Sequence, residues 1–170
     1  EAVPTFGDAL RRLANKAIYL YEDGSRYWFS TQPSVTSLAG DRAEEIDPHD
    51  MAAKIVEHLR KDKMRGDFAA VHIAPDGSGD IPDEMEVRLV VLGPNNTHVS
   101  RSDDSQAIKA AEEILTNRGT GQRLYKNTLV FLAPDKQSLP DLEQSIRLLM
   151  AWSSIVADHE ALNLDAFQRR

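Results

Sequence analysis

The sequence predicts an α/β fold: a mixed, largely parallel sheet with flanking helices, preceded by a helix and a β-hairpin. Three observations predict it. Residues 128–133 form an unbroken apolar run, which is typical of a strand buried on both faces. Residues 68–74 and 86–92 are strand candidates rich in Val, Leu and Ile. A helical pattern precedes the apolar run, so we expect residues 86–92 and 127–133 to pair in parallel through a right-handed crossover.

Composition limits the classes of function. The chain has 170 residues, which is enough for one main domain with an appendage, and 41% hydrophobic with 28% charged residues is ordinary for a soluble globular protein. Its formal net charge of −7 does not match a phosphate backbone, so nucleic-acid binding requires a local basic patch.

The absence of cysteine excludes disulfides, thiolate metal sites and a cysteine nucleophile. No apolar run approaches 18 residues, so we expect no membrane segment, and the cytoplasm is the default compartment. The first residues contain neither an initiator Met nor a signal peptide, which predicts a fragment of a longer protein.

Residues 1–32 are predicted to form the first segment, a helix over residues 8–16 and a hairpin with strands at 17–21 and 26–30. This order is winged-helix-like. One interpretation is a nucleic-acid wing, with aromatic side chains beside cations. Its candidate binding residues are Arg11, Arg12, Lys16 and Arg26. The alternative is a small sheet that covers its own core.

Residues 33–66 are predicted to form a connection that contains a short helix, followed by a longer helix. Asp47-Pro48 is a helix start, with Asp as N-cap and Pro at the first position, and Gly66 ends the helix near residue 64. Its predicted inward side chains are Met51, Ile55, Val56 and Leu59. His49 and His58 are nine residues apart and cannot form an i,i+4 metal pair, so we expect surface histidines.

Residues 67–170 are predicted to form the α/β core with a C-terminal helix. Residues 75–85, between the first two strands, carry several carboxylates. An EF-hand is excluded, because Ile81 occupies the position that requires Gly and Val87 the position that requires Glu. A flexible acidic loop is the expected structure, and no metal site is predicted.

The two helices of this segment have recognisable boundaries. Asp103 or Asp104 is the predicted cap of a helix that ends at Arg118, before Gly119 in a left-handed conformation. Residues 117–122 lack the P-loop spacing and read as a helix-to-strand connection. Ser138 is the predicted cap of the last helix, with Asp141 completing a capping box. Its predicted sheet-facing stripe is Leu142, Ile146 and Leu149.

No catalytic motif is present: the sequence lacks a nucleophile elbow, an H-E-x-x-H pair, a dinucleotide fingerprint and a kinase signature. We therefore predict that the chain is not itself an enzyme. In doubly wound sheets ligands bind beyond the carboxyl ends of strands, which places a candidate cleft near Ala74-Pro75, Leu92-Gly93 and Ala133-Pro134. Asp135 is the one carboxylate positioned there, and its other interpretation is a turn-forming residue.

Three stretches carry a resemblance to a known family. They are residues 8–14, residues 19–29 and residues 126–135, which read DALRRLA, YLYEDGSRYWF and KNTLVFLAPD. Together they resemble the region downstream of the nucleotide-binding domain in a family of large prokaryotic AAA-type ATPases, long catalogued as a domain of unknown function and often found in genome-defence islands. The resemblance implies a non-catalytic α/β module, with ATP bound elsewhere in the parent protein.

Two classes of function follow as expectations. The first is a structural or interaction module whose partners are other domains of the parent ATPase, with no cofactor of its own and no membrane contact. The second is a nucleic-acid-binding module that uses the N-terminal helix and hairpin, with DNA as the candidate ligand. A third class, a small hydrolase with a noncontiguous site, has no motif to support it.

Overall fold

The fold is described from a computed structural model, for residues 3–14, 17, 19–23, 26–29, 34–62 and 65–162. The chain divides into two compact units, one of residues 1–46 with 147–170 and one of residues 47–146. Each unit is described separately below. The three predicted segments 1–32, 33–66 and 67–170 stay a prediction of how the chain is organised.

The first unit begins with a helix and a hairpin, as predicted. Helix α1 spans Val3–Ala14, and strands β1 (Leu20–Asp23) and β2 (Arg26–Phe29) pair antiparallel. The helix starts five residues earlier than expected. Glu22 and Asp23 were predicted as part of the turn but lie in β1, because the backbone ladder extends to the pairing of Asp23 with Arg26. A winged-helix relationship stays a prediction.

Helix α2 (Val35–Glu45) is the short helix predicted within the connection of residues 31–47, and it occupies most of that segment. Ser34 caps it by accepting a hydrogen bond from the Ser37 N–H at 3.1 Å. Ala39 packs against Ile155, and both are almost fully buried; the surrounding side chains are Val35, Leu38 and Leu162. Arg42 reinforces this contact by donating to the Ser154 hydroxyl and the Asp158 carboxylate.

The second unit contains a three-stranded parallel sheet, which confirms the predicted α/β class. Its elements are α3 (Pro48–Lys61), β3 (Ala70–Ile73), β4 (Arg88–Val91), α4 (Gln106–Thr116), β5 (Asn117–Arg118), β6 (Gly121–Gln122), β7 (Leu129–Leu132) and the start of α5 (Leu139–Ala157). The strand order is β3-β4-β7. Residues 88–91 pair with residues 129–132 in parallel, so the predicted pairing across the α4 connection is confirmed.

The two faces of this sheet differ in burial. Val90 is fully buried on one face, in a core with Ile81, Leu92, Ala107 and Ile114. Alternation of side chains along a strand places Val130 and Leu132 on the other face. These two remain 44% and 55% exposed. The sheet is therefore fully covered on one face only, and the prediction that residues 128–133 are buried on both faces is wrong.

The predicted start of α3 is confirmed. The Asp47 carboxylate accepts a hydrogen bond from the His49 N–H at 2.7 Å, and Pro48 occupies the first position. Met51 and Ile55 are buried, whereas Leu59 is 37% exposed. The helix ends at Lys61, three residues before the predicted end, and Gly66 has a φ of +55°.

Ser105, not Asp103 or Asp104, caps α4. Its hydroxyl accepts from the Ile108 N–H at 3.3 Å and also bonds with His98 Nδ1 at 3.0 Å. Ser105 is buried, whereas Asp104 forms an exposed ion pair with Lys109. Gly119 is left-handed as predicted, with a φ of +59°, but it lies in the turn between β5 and β6. Helix α4 ends at Thr116 and not at the predicted Arg118.

The connection between β3 and β4 is anchored, which corrects the expectation of a flexible acidic loop. Ile81 at its centre is fully buried in the core. The Asp83 carboxylate accepts hydrogen bonds from the Leu124 and Tyr125 N–H groups at 2.8 and 2.9 Å. The buried Arg123 guanidinium donates hydrogen bonds to three carbonyls of the connection. The acidic residues of the connection therefore lie on a backbone segment that is held in place by hydrogen bonds.

Helix α5 also departs from its prediction. The Ser138 N–H and hydroxyl donate to the Asp135 carboxylate, so Asp135 takes the role expected of Ser138. Ile146 is buried as predicted, but Leu142 and Leu149 are 45% and 43% exposed. The helix has apolar side chains on more than one side, and the buried stripe is not the predicted one.

Candidate functional site

Two cavities lie at the carboxyl edge of the parallel sheet, in the second unit. We name them the polar pocket, of about 490 Å³, and the apolar groove, of about 240 Å³. The polar pocket includes Ala74-Pro75, and the apolar groove includes Leu92 and Ala133-Pro134. The predicted cleft thus corresponds to two cavities of opposite character. The polar pocket has a volume typical of ligand sites.

The polar pocket extends beside strand β3 and the end of helix α3. It is lined by Arg60, Asp62, Arg65, Val71, His72, Ile73, Ala74, Pro75, Asp76 and Asp80. Six of these ten side chains are ionisable, whereas the described residues that line the apolar groove are all Ile, Leu, Val, Pro or Ala. The two cavities therefore suit chemically different ligands.

Two arginines give the polar pocket its hydrogen-bond donors. Arg60 Nη2 donates to the Ile73 carbonyl at 3.5 Å, and Arg65 Nη1 donates to the Ala69 carbonyl at 3.3 Å. Both residues are exposed, and within the described ranges neither has a carboxylate within 4.0 Å. Long single bonds to neutral carbonyls leave most of each guanidinium's hydrogen-bonding capacity unused.

His72 lines the same pocket from strand β3. Its Nε2 atom is buried and has no hydrogen-bond partner in the described part of the chain. Burial lowers the pKa of His72, and the nearby positive charges of Arg88 and Arg123 lower it further. The imidazole is therefore neutral at pH 7. Arg88 itself is buried and pairs with the Glu84 carboxylate.

The carboxylates of the pocket are not equivalent. Asp80 accepts hydrogen bonds from the Asp76 and Gly77 N–H groups at 2.8 and 3.3 Å, which closes a local turn. The Asp76 side chain is exposed and has no such partner among the described residues. Among those residues no group of three or more His, Cys, Asp or Glu side chains is arranged to hold a metal ion.

Ala74, at the carboxyl end of β3, has a φ of +44°. A left-handed conformation is costly for a residue with a Cβ, and such residues concentrate at functional sites. A Cβ built on Gly93 would lie 3.3 Å from the Ala74 Cβ, so the ends of β3 and β4 approach closely. This local strain gives a separate reason to regard the polar pocket as the candidate site.

Asp135 is placed by the structure as a turn-forming residue. Hydrogen bonds from the Ser138 hydroxyl and backbone hold its pKa below the usual range, together with the Gln137 N–H. A carboxylate stabilised in its ionised form is poorly suited to general acid or base chemistry near pH 7. The structural interpretation of Asp135 is therefore the better one.

The predicted nucleic-acid residues are only partly described. Arg12 on α1 and Arg26 on β2 are exposed, whereas Lys16 and the Arg11 side chain lie outside the described residues. Phe29, opposite Leu20 in the hairpin, is 79% exposed. His49 and His58, predicted as surface histidines, are both exposed.

A third feature, in the first unit, was not predicted from the sequence. The part of α5 that belongs to this unit exposes four large apolar side chains, which we name the α5 stripe: Leu148, Leu149, Trp152 and Val156. At 100° per residue they fall within an arc of about 100°. Ala151 and Ile155 lie outside this arc and are buried. The signal was present in the sequence as a second apolar periodicity.

No described helix is both long enough and apolar enough to span a bilayer. A scan of the chain against protein-family models gives no match, and comparisons with curated proteins and with solved structures give none either. The resemblance to AAA-type ATPases therefore stays a prediction, and the case for a function depends on the three surfaces described above.

Proposed function

We propose that this chain is a non-catalytic interaction module that docks on another protein through the α5 stripe. The single observation that supports the proposal is the exposure of Leu148, Leu149, Trp152 and Val156 along one side of a helix. Contiguous apolar surface on a folded protein marks interaction sites, and an apolar helix face that enters a groove is a common recognition mode.

The resemblance to large AAA-type ATPases supplies the proposed partner, which is another domain of the parent protein. In this proposal ATP is bound elsewhere in the parent. The present chain contacts that other domain and has no cofactor of its own. Trp152 is the proposed anchor, because tryptophan is enriched among the residues that contribute most to binding at interfaces.

Site-specific photo-cross-linking in the intact gene product tests this function. A photoreactive phenylalanine analogue replaces Trp152, and the matched control carries it at Glu112, an exposed polar position on α4. Cross-links from position 152 to the ATPase region, absent from position 112, support the proposal. The same yield and targets from both positions, or no cross-link from position 152, contradict it.

Nucleic-acid binding is the second candidate, and the exposure of Arg26 and Phe29 on one hairpin favours it. Phe29 offers a ring for base stacking and Arg26 a cation for phosphate contact, from opposite faces of β2 because side chains alternate along a strand. Fluorescence anisotropy of a labelled DNA at low and moderate salt provides the test. Salt-sensitive binding that is lost in an Arg11→Glu/Arg26→Glu variant supports this function. No binding at low salt excludes it for this chain.

A further inference from the structure

Strand β3 is an edge strand. Within the described residues it pairs with β4 alone, so its other edge lacks a partner strand. The Ala74 N–H donates to the Val91 carbonyl at 2.8 Å, towards β4. Backbone groups of successive residues alternate between the two edges of a strand, so Ile73 and Val71 direct theirs away from β4.

An arginine lies near each end of this open edge. Arg60 bonds to the carbonyl of Ile73, the last residue of β3. Arg65 bonds to the carbonyl of Ala69, which precedes β3 and whose N–H donates to the Val87 carbonyl. Charged side chains at an edge prevent uncontrolled strand pairing. Because the two bonds are long and each guanidinium lacks a carboxylate partner among the described residues, an incoming strand can replace them at small cost.

The shape of the polar pocket follows the same edge. Five consecutive residues, 71–75, line it, which is expected of a cavity that extends along the strand and not of one that faces a single side of the sheet. Strand β3 has four residues, which span about 13 Å at roughly 3.3 Å per residue, and the left-handed Ala74 ends its extended backbone. A segment of about four extended residues therefore matches the edge.

The charges along the edge have an order. Arg65 is hydrogen-bonded to the Ala69 carbonyl, and Arg60 to the Ile73 carbonyl. The exposed Asp76 follows Ile73 by three residues. A complementary segment carries carboxylates opposite the two arginines and a basic side chain opposite Asp76. A purely anionic small molecule fits less well, because three aspartates also line the pocket.

We propose that the open edge of β3 binds an extended peptide segment of a partner protein, which adds a fourth strand to the sheet. Backbone hydrogen bonds at Val71 and Ile73 provide affinity, and the ionic contacts with Arg65, Arg60 and Asp76 provide specificity. This surface belongs to the second unit and does not involve the α5 stripe, so each of the two proposals can be refuted without affecting the other.

Selection from a random library of eight-residue peptides displayed on phage tests the proposal with the 170-residue chain as bait. Enriched peptides are then synthesised and their dissociation constants measured by fluorescence anisotropy. An Arg60→Glu/Arg65→Glu variant reverses the two charges, an Arg60→Lys/Arg65→Lys variant keeps them, and Lys136→Glu is the matched control at an exposed cation elsewhere in the unit. Circular dichroism verifies that each variant is folded.

We expect enriched peptides with acidic residues at one end and a basic residue at the other. Their affinity should fall at least tenfold with the Glu variant and stay within threefold with the Lys and Lys136→Glu variants. N-methylation of alternate peptide nitrogens should abolish binding, since it removes the backbone donors. Leu149→Ser/Trp152→Ser should leave the affinity unchanged, which separates this site from the α5 proposal.

Three results would overturn the inference. The first is a selection that enriches no peptide, and the second is equal affinity for the wild-type and Glu variants. The third is binding that survives N-methylation and is displaced by inorganic phosphate, which would identify a site for small anions instead of a strand-binding edge.

Discussion

The Arg123 guanidinium is the buried polar group on which the second unit should depend most. Arg123 is 2% exposed, and its donors reach the carbonyls of Ile114 at 2.8 Å, Pro82 at 3.0 Å, Ile81 at 3.1 Å and Ser78 at 3.3 Å. One side chain thus connects the end of α4 to the connection between β3 and β4. Its contact with Asp83 is longer, at 3.9 Å.

Arg123→Met keeps the length of the side chain and removes every donor. A hydrogen bond to a charged group contributes about 1.5–3 kcal/mol, and each buried carbonyl left without a donor costs about 1–3 kcal/mol. The variant also avoids the cost of burying a charge, which offsets part of the loss. We therefore expect the free energy of unfolding to fall by about 3–5 kcal/mol, a large part of the roughly 5–15 kcal/mol of a typical domain.

Hydrogen exchange measures this loss where it occurs. Amides of residues 76–83 should exchange faster, and urea unfolding followed by far-ultraviolet circular dichroism should shift to lower urea. Tryptophan fluorescence does not report on this unit, because Trp28 and Trp152 both belong to the other one. Arg118→Met, which changes an exposed arginine in β5, is the control. A loss below about 1 kcal/mol, or equal losses in both variants, would refute the reasoning.

Three further predictions each concern one side chain. Ser105→Ala removes the α4 cap and the partner of His98, so we expect a loss of about 1–2 kcal/mol in urea unfolding. Ser102→Ala, which removes only an exposed 3.4 Å bond from the Asp104 N–H, should cost less. Hydrogen bonds from the Leu124 N–H, then from Tyr125, and the charge of Arg123 lower the pKa of Asp83. Its stabilisation should be complete above about pH 4 and decline as pH falls through the lower folded-state pKa, and Asp83→Asn should remove this dependence from exchange rates of residues 124–125. Burial lowers the pKa of His72, so stability should be highest above about pH 6.5 and decrease as pH falls towards the folded-state pKa. NMR titration of the imidazole checks this, and an ordinary histidine pKa would contradict it.

The parts of the fold that were predictable are those with local causes. Asp47-Pro48 places a cap and a rigid first residue side by side, so the start of α3 needs no tertiary information. The apolar run that contains β7 is recognisable for the same reason, but its burial on both faces was predicted wrongly, because burial depends on what packs against each face. Helix α5 shows the same limit, since its periodicity cannot say which of two apolar stripes is buried.

The candidate site was predictable in position and not in content. Topology places cavities at the carboxyl ends of parallel strands, which locates Ala74 and Ala133. Arg60 and Arg65 reach the pocket from the end of a helix and from the turn after it, and no motif relates them to β3. Arg123 has no local signal at all, because its four acceptors are distributed over residues 78–114.

The buried Arg123 is hydrogen-bonded to the segment that forms one wall of the polar pocket. Arg123 holds the carbonyls of Ser78 and Ile81 from beneath, and Asp80 lies between these two residues and closes the turn that carries Asp76. Both aspartates line the pocket. A segment without regular strand or α-helix structure would otherwise adopt many conformations, each with a different charge position beside β3. The buried guanidinium reduces that freedom, so the wall of the pocket is formed before any ligand arrives and binding need not supply the cost of ordering it.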